Sequence, residues 1–194
     1  MKLNSREEII ALTPLWKGER FPDGIRATAD YVHSLGLKFG IHIMRGIPRK
    51  AAQEHLPILG TDVTADMVAD PSSICPWNPD MYGLKCELPE AQDYCNSIFQ
   101  LYAQWGVDFV KCDDIAREYP HCRQEIEIIS GACRACGREM VLSLSPGPAP
   151  LEQAENLKKY ANMWRITDDF WDDWRLLKAM VERAEKWCIH AAPG

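Results

Sequence analysis

The chain has 194 residues, enough for one domain with a sizeable core, and 46% of them are hydrophobic, an ordinary share for a soluble globular protein. Its formal net charge of −6 leaves no basic stripe, which argues against a nucleic-acid partner and favours a neutral ligand. No apolar run approaches the roughly 20 residues of a membrane span, and residues 1–12 are too charged for a secretory signal. We therefore expect a cytoplasmic protein with no membrane partner.

Helices and apolar strands alternate along the chain. The first helix is predicted over Gly24–Leu35, where apolar residues recur at helical spacing and Gly36 ends the pattern before the apolar run LKFGIHIM. The order recurs with Pro89–Trp105 before VDFVKC, His121–Cys136 before MVLSLS, and Leu151–Tyr160 before MWRIT, and a last helix runs through Trp171 to Trp187. Such alternation predicts a parallel sheet covered by helices.

Polar residues at the ends of the predicted strands favour a closed barrel over an open doubly wound sheet. Lys111–Asp114 and Arg165–Asp169 both follow a strand's apolar part, at the end where barrel enzymes build their sites. No glycine-rich phosphate loop follows any predicted strand, which argues against a nucleotide-binding fold. We predict an α/β fold of the (β/α)8 TIM-barrel type. It is incomplete, because only four core strands can be identified against eight in a closed barrel.

The segment from Arg45 to Leu88 interrupts the alternation. It contains five prolines and the run CPWNPDMYG, and no helix or strand is predicted in it. Long loops in compact domains usually wall or cover a functional site. Because this one follows the C-terminal end of a strand, we expect it to form a wall of the site.

The eight cysteines are predicted to be free thiols. They are scattered through helical and strand-like segments, unlike the cysteines of small secreted disulfide scaffolds. Cys133 and Cys136 form a Cys-x-x-Cys pair, with His121 and Cys122 upstream, so a zinc site is an alternative. One pair inside a helical pattern, without a matching second pair, argues against it.

The first candidate catalytic group is a carboxylate beside a lysine. Strand alternation places Lys111 and Asp113 on one face, and Asp108, Cys112 and Asp114 on the other. The lysine would keep Asp113 ionised by lowering its pKa, as a carboxylate nucleophile requires. The structural alternative is an ion pair at the mouth of the barrel.

The second candidate group follows the fourth predicted strand. There Arg165, Thr167 and Asp169 alternate onto one face, so that Asp169 is the candidate partner carboxylate and Arg165 a fork for hydroxyl groups. Asp168 takes that role if the strand bends early. Alternatively, one of the two aspartates caps a helix that begins near Phe170.

Three stretches resemble glycoside hydrolase family 27, the α-galactosidases and α-N-acetylgalactosaminidases. The run FPDGIRATADYVHSLGLKFGIH is similar to that family's second helix and third strand. The run WGVDFVKCDD resembles its W-G-V-D-x-x-K-x-D nucleophile strand, and MWRITDD its W-R-x-T-x-D acid/base strand. The three motifs stand in the family's order, and the resemblance extends from Phe21 to Gly194.

This resemblance implies a retaining glycosidase that removes terminal α-galactosyl-type residues through a covalent glycosyl-enzyme intermediate. It implies Asp113 as the nucleophile and Asp169 as the acid/base. Lys111 and Arg165 become ligands of sugar hydroxyls, and His42 stands where the family has a tyrosine that contacts the ligand. The implied partner is a carbohydrate substrate, with no metal and no organic cofactor.

The sequence also departs from the family pattern. Ser145–Gly147 replaces a Cys-Glu-Trp sequence, which removes an aromatic wall, and nothing resembles the family's first and seventh strands. Residues 1–194 are therefore predicted to form a partial catalytic domain lacking the first and last strands, with open sheet edges that favour self-association. Two alternatives stay open: an incomplete barrel that binds glycan or is inert, and an unrelated barrel enzyme that holds Mg²⁺ on Asp113 and Asp114.

Overall fold

The computed structural model describes residues 21–119 and 121–190. In chain order the elements are α1 (Gly24–Ser34), β1 (Gly40–Met44), β2 (Ile47–Pro48), α2 (Arg49–Gln53), α3 (Ala65–Val68), β3 (Ala69–Ile74), β4 (Met81–Leu84), α4 (Pro89–Gln104), β5 (Phe109–Asp113), α5 (Arg123–Ala135), β6 (Val141–Leu144), α6 (Ala154–Tyr160), β7 (Met163–Trp164) and α7 (Trp174–Trp187). Short 3-10 turns cover Leu151–Gln153 and Cys188–His190. Residues 1–12, for which the sequence predicts no secretory signal, lie outside the described residues.

Four of the strands form a parallel sheet in the order β1-β5-β6-β7. The register places His42 beside Lys111 and Met44 beside Asp113, while Lys111 also lies beside Ser143 of β6. A crossover containing at least one helix joins each strand to the next, so all four C-terminal ends meet at one edge of the sheet. The predicted α/β architecture with a parallel sheet is confirmed.

The helices begin and end where their local sequence favours it. In α4, Pro89 occupies the first turn and Glu90 places a negative charge there, both of which suit a helix N-terminus. Tyr94 and Phe99 face the core, and Gly106 (φ 80°) follows the helix in the left-handed conformation that glycine adopts most readily. Among the described residues, no helix has the length and apolar character needed to cross a bilayer.

The core lies between the parallel sheet and the helices on its outer face. Its fully buried members come from both layers and include Phe99, Val110, Cys112, Ile126, Leu142, Leu144 and Leu157. The central strands β5 and β6 are buried because each has a strand on both sides. Val110 and Cys112 of β5 and Leu142 and Leu144 of β6 are the side chains that these strands bury in the core.

The segment from Arg45 to Leu88 is structured, so the expectation of a long loop is wrong. It forms a three-stranded antiparallel sheet in the order β2-β4-β3, with α2 and α3. Pro48 and Pro71 lie on the two edge strands, where a missing N–H is tolerated, and they mask the strand pattern in the sequence. Gly46 (φ 79°) joins this sheet to β1, and a Cβ there would lie 1.9 Å from the Tyr82 carbonyl oxygen.

Two predicted boundaries after the fourth parallel strand are also wrong. Strand β7 ends at Trp164, so the residues from Arg165 onward form a loop rather than the rest of a strand. Helix α7 begins at Trp174, because Asp173 caps it by accepting hydrogen bonds from the backbone N–H groups of Arg175 and Leu176. Neither Asp168 nor Asp169 therefore caps this helix.

The N-terminal edge of the sheet is held together by Asp108. Its buried carboxylate accepts a hydrogen bond from the Phe39 backbone N–H at 2.9 Å, contacts His33 Nε2 at 2.7 Å and pairs with Arg138 at 2.7 Å. Burial raises the pKa of Asp108, but these three partners together outweigh it and bring the pKa to about 2. Asp108 thus joins α1, β1 and β6 at the edge opposite the candidate site.

Candidate active site

Three predicted site residues converge at the C-terminal ends of β1 and β5. Asp113 is the last residue of β5, and its Oδ2 lies 3.0 Å from His42 Nε2 and 3.9 Å from Lys111 Nζ. The contact between Lys111 and Asp113 confirms that they share a face of the strand, while Cys112 between them is fully buried on the other. The sheet register thus brings His42, Lys111 and Asp113 together.

The environment of Asp113 favours its ionised form. Burial raises the pKa of this carboxyl, whose side chain is 13% exposed. The Ser145 hydroxyl, the Asp114 backbone N–H and the nearby side chains of Lys111 and His42 oppose burial, and the pKa lies below its usual value. The Asp114 N–H is 3.0 Å from Asp113 Oδ1. Ser145 Oγ, by contrast, is buried and has no partner of ordinary hydrogen-bond geometry in the described residues.

The carboxylate of Asp114 points away from that of Asp113. It lies in a buried ion pair with Arg45, at 3.0 Å, while Asp113 contacts His42 and Lys111. Within residues 21–119 and 121–190, no group of three or more histidine, cysteine or carboxylate side chains has the geometry to hold a metal ion. The two adjacent carboxylates therefore do not converge as the alternative magnesium site requires.

The second candidate pair lies in the loop after β7. Arg165 Nη1 pairs with Asp169 Oδ1 at 2.7 Å, and the Asp169 side chain is 65% exposed. Asp168 has a different role, because its Oδ1 contacts Arg117 Nη2 at 2.6 Å and accepts a hydrogen bond from the Asp169 N–H at 2.8 Å. Asp169 is thus more accessible than Asp168. It lies in a loop, because the strand predicted to place it ends at Trp164.

Direct contacts tie the segments after β5, β6 and β7 to one another. The Ile115 N–H donates to the Ser145 carbonyl at 2.9 Å, and the Ala149 N–H donates to the Arg165 carbonyl at 3.0 Å. Arg117, four residues after Asp113, donates from Nε to the Gly147 carbonyl at 2.9 Å as well as pairing with Asp168. The loops that carry Asp113 and Asp169 are therefore fixed to one another across the end of β6.

Asp113 and Asp169 nevertheless belong to two separate clusters. Asp113 ends β5 and Asp169 follows β7, and these two strands lie two positions apart in the sheet, about 10 Å between strand axes. Within the described residues, no hydrogen bond or ion pair joins Asp113 to Asp169 or Lys111 to Arg165. The pairing of Asp113 with Asp169 in one site therefore stays a prediction.

A cavity of about 310 Å³ lies beside His42. Trp77, Asn78 and Asp80 line it from the segment between β3 and β4, and apolar side chains of α4 line the opposite side. The segment after Arg45 thus contributes a wall beside the site, as expected from its position in the sequence. This wall combines an aromatic ring with amide and carboxylate oxygens.

Sequence reasoning missed three polar residues around Asp113. Ser145 was considered only as a departure from a family pattern, although it follows a strand end like the other candidates. Arg45 and Glu125 were not singled out, although Arg45 directly follows the end of β1. No local signal marks Glu125, because it lies on a helix and reaches Arg45 only through the tertiary fold.

All eight cysteines are free in the structure. Cys136 Sγ lies 3.0 Å from the Cys133 carbonyl oxygen, and Cys133 Sγ lies 3.6 Å from that of Met140. Both thiols of the Cys-x-x-Cys pair thus contact backbone oxygens.

Comparison with known proteins points to one group of enzymes. Residues 78–192 match the family model Melibiase_2, described as alpha galactosidase A. A β-L-arabinopyranosidase of glycoside hydrolase family 27 from Geobacillus stearothermophilus has a solved structure that is 58% identical, with a TM-score of 0.83 over 87% of this chain and 39% of its own. A putative α-N-acetylgalactosaminidase from Bacillus halodurans is 54% identical, with a TM-score of 0.74 over 91% of this chain and 41% of its own.

A curated relative agrees with these structures. A probable α-galactosidase from Dictyostelium discoideum is 31% identical over 154 residues, which cover 79% of this chain and 31% of the relative. The chain thus spans well under half the length of each of these three relatives. Its parallel sheet and helices correspond to a portion of the barrel in the solved enzymes.

Proposed function

The chain belongs to glycoside hydrolase family 27, and on that premise we propose that it carries the catalytic pair of a retaining glycosidase that removes terminal α-galactosyl-type residues. The observation that carries the proposal is the environment of Asp113 at the end of β5. Its carboxylate is largely buried, lies 3.0 Å from His42 and 3.9 Å from Lys111, and has a lowered pKa. A carboxylate nucleophile needs to be ionised and held in this way.

The proposed reaction has two displacements at the anomeric carbon. In the first, an Asp113 oxygen forms a bond to that carbon while the glycosidic C–O bond breaks, and Asp169 gives its proton to the leaving oxygen. In the second, Asp169 takes a proton from water, the water oxygen bonds to the anomeric carbon, and the Asp113 ester bond breaks. Both steps require the carboxyls of a retaining pair to approach to about 5–5.5 Å or modestly more.

The remaining site residues suit a sugar. Lys111 and Arg165 offer donors to hydroxyl groups next to the two carboxylates, and His42 adds a ring nitrogen beside Asp113. The proposed substrate is a galactose-configured pyranoside. β-L-Arabinopyranose has the same ring configuration and lacks only the hydroxymethyl group on C5, so both sugars fit one arrangement of the catalytic pair.

Hydrolysis of two matched substrates tests this function. The purified protein is assayed with 4-nitrophenyl α-D-galactopyranoside and with 4-nitrophenyl β-L-arabinopyranoside, in the presence and absence of a chelator. We expect nitrophenol release from at least one of them, retention of anomeric configuration in the product, and no effect of the chelator. Asp113→Asn is the control, since it keeps the shape of the side chain and removes the nucleophile.

Two results would contradict the proposal. Inversion of configuration would exclude the covalent intermediate on Asp113. If neither substrate is hydrolysed but galactose binds saturably, the glycan-binding alternative is supported instead. If neither is hydrolysed and galactose does not bind, the inert alternative is supported.

A further inference from the structure

The backbone next to Asp113 is held in an unusual conformation. Asp114 has φ 60°, in the left-handed region, which few residues other than glycine adopt and which aspartate tolerates better than most. In this conformation its backbone N–H donates to Asp113 Oδ1 at 3.0 Å. The N–H lies on the peptide shared with Asp113, and φ sets the direction of the Asp114 carbonyl and side chain relative to that peptide.

Arg45 contacts Asp114 in two places. Its Nε donates to the Asp114 carbonyl oxygen at 2.7 Å and to Oδ2 at 3.0 Å, while its own backbone N–H donates to the Asp113 carbonyl at 3.1 Å. The Arg45 side chain is 6% exposed, so these contacts are shielded from water. One guanidinium thus fixes both the backbone and the side chain of the left-handed residue.

A second carboxylate holds Arg45 in place. Its Nη1 donates to Glu125 Oε1 at 3.0 Å and to Ser73 Oγ at 3.0 Å. Glu125 is buried on α5 and also accepts a hydrogen bond from the Leu84 N–H of β4 at 3.0 Å. Neighbouring Gly83 has no room for a side chain, since a Cβ there would lie 2.5 Å from Ser73 Oγ. The antiparallel sheet and α5 therefore pack tightly around the guanidinium.

From these contacts we infer that Arg45 is a positioning residue for Asp113: by binding the Asp113 carbonyl and the Asp114 carbonyl and carboxylate, it fixes the peptide whose N–H donates to the Asp113 carboxylate. The inference deepens the proposed function and rests on it, because Asp113 matters as the nucleophile of that reaction. The consequence is that the antiparallel sheet between β1 and α4 supports the nucleophile in addition to forming a wall of the site.

Two substitutions of Asp114 separate the backbone effect from charge. Asp114→Gly and Asp114→Ala both remove the carboxylate, but only glycine adopts the left-handed conformation without strain. The pKa of Asp113 is measured directly by carboxyl-carbon NMR titration. Lys111, His42 and Ser145 face Asp113 unchanged in both variants. We expect the pKa of Asp113 to be higher in Asp114→Ala than in Asp114→Gly by about half a unit or more, because strain at alanine displaces the peptide between residues 113 and 114 and weakens its N–H contact with the carboxylate.

Substitution of Arg45 tests whether this side chain holds the backbone at Asp113 and Asp114 in place. Arg45→Lys keeps the positive charge but lacks the planar guanidinium, in which Nε reaches Asp114 while Nη1 reaches Glu125. We expect kcat for the nitrophenyl substrate to fall about fivefold or more with KM little changed, because a mispositioned nucleophile affects the transition state more than binding. Arg138→Lys is the matched control: Arg138 also joins a backbone carbonyl and an aspartate, but at the opposite edge of the sheet. It should leave kcat unchanged.

The outcomes distinguish this inference from the function itself. Equal Asp113 pKa values in the two Asp114 variants would overturn the inference, as would wild-type kcat in Arg45→Lys. If the wild-type protein shows no turnover, the proposed function fails, and the NMR titration still tests whether the Asp114 N–H acts on Asp113. If circular dichroism shows that Asp114→Ala does not fold, the pKa of Asp113 is measured in Arg45→Lys by the same NMR titration. A pKa equal to that of the wild type would then overturn the inference.

Discussion

At the scale of single residues, two aspartates of the proposed pair have different surroundings. Asp113 is 13% exposed and contacts two basic side chains and a backbone N–H, whereas Asp169 is 65% exposed and pairs with Arg165. A nucleophile gains from being held ionised in a shielded position, and an acid/base needs access to the leaving group and to water. The two environments match the two roles.

Removal of each carboxyl is expected to have a distinct effect. Asp113→Asn should abolish turnover of every substrate, because the covalent intermediate cannot form. Asp169→Asn should still be glycosylated by substrates with a good leaving group, such as nitrophenyl glycosides, and added azide should restore turnover by taking the glycosyl group without base assistance. The assay measures nitrophenol release with and without azide, and identifies the glycosyl azide.

Asp168→Asn is the matched control for this experiment. Asp168 neighbours Asp169 but is engaged with Arg117, so its substitution should not produce azide-dependent activity. The assignment of roles is wrong if azide rescues Asp168→Asn while Asp169→Asn remains fully active, or if it rescues Asp113→Asn with retention.

At the scale of secondary-structure elements, the two edges of the parallel sheet are fixed by different ionic groups. The N-terminal edge has Asp108, bound to α1 through His33 and to the start of β6 through Arg138. The C-terminal edge has Arg45, bound to β5 and α5. Removing one partner of such a buried group destabilises a protein because the remaining charge is left without compensation.

Asp108 makes the stability of the fold depend on pH in the acid range. Its pKa is about 2 in the folded protein and lies near 4 in unfolded chains, so its contribution is present above about pH 4 and is lost as the pH falls towards 2. Asp108→Asn should lower the free energy of unfolding by roughly 1–2 kcal/mol at pH 7. Urea unfolding of the wild type and the variant should show this difference narrowing below pH 4.

Asp30→Asn is the control for the pH experiment. Asp30 pairs with Arg26 on the exposed face of α1, and an exposed pair contributes little. A difference between wild type and Asp108→Asn that stayed constant from pH 7 to pH 2.5 would contradict the proposed origin of the acid sensitivity.

The sequence predicted the parallel elements well because their signals are local. Helical patterns ended by glycine and followed by apolar runs identified β1, β5 and β6 and the helices before them, and strand alternation placed Lys111 beside Asp113 correctly. The antiparallel sheet was missed because its strands are short and two of them contain proline. The cluster of Arg45, Asp114 and Glu125 was missed because Asp114 lies 69 residues and Glu125 lies 80 residues after Arg45 in the sequence.

At the scale of the whole molecule, the described residues place all the proposed catalytic groups at one edge of a four-stranded sheet. Within these residues β1 pairs only with β5, and β7 only with β6, so each of these two outer strands has one side without a partner strand. The solved family members to which it corresponds are more than twice as long. What the chain itself contributes is the proposed nucleophile, the proposed acid/base and the contacts that join the segments after their strands.

Covalent trapping of the nucleophile tests the central claim most directly. A galactose-configured cyclophellitol epoxide is incubated with the protein, and the modified residue is located by mass spectrometry of peptides. An Asp113 oxygen should bond to the epoxide carbon as the epoxide C–O bond breaks and its oxygen takes the proton of Asp169. We predict one ester per chain, on Asp113, and none in Asp113→Asn. A label on another carboxyl, or a wild-type protein that remains unmodified, would contradict the assignment of Asp113 as the nucleophile.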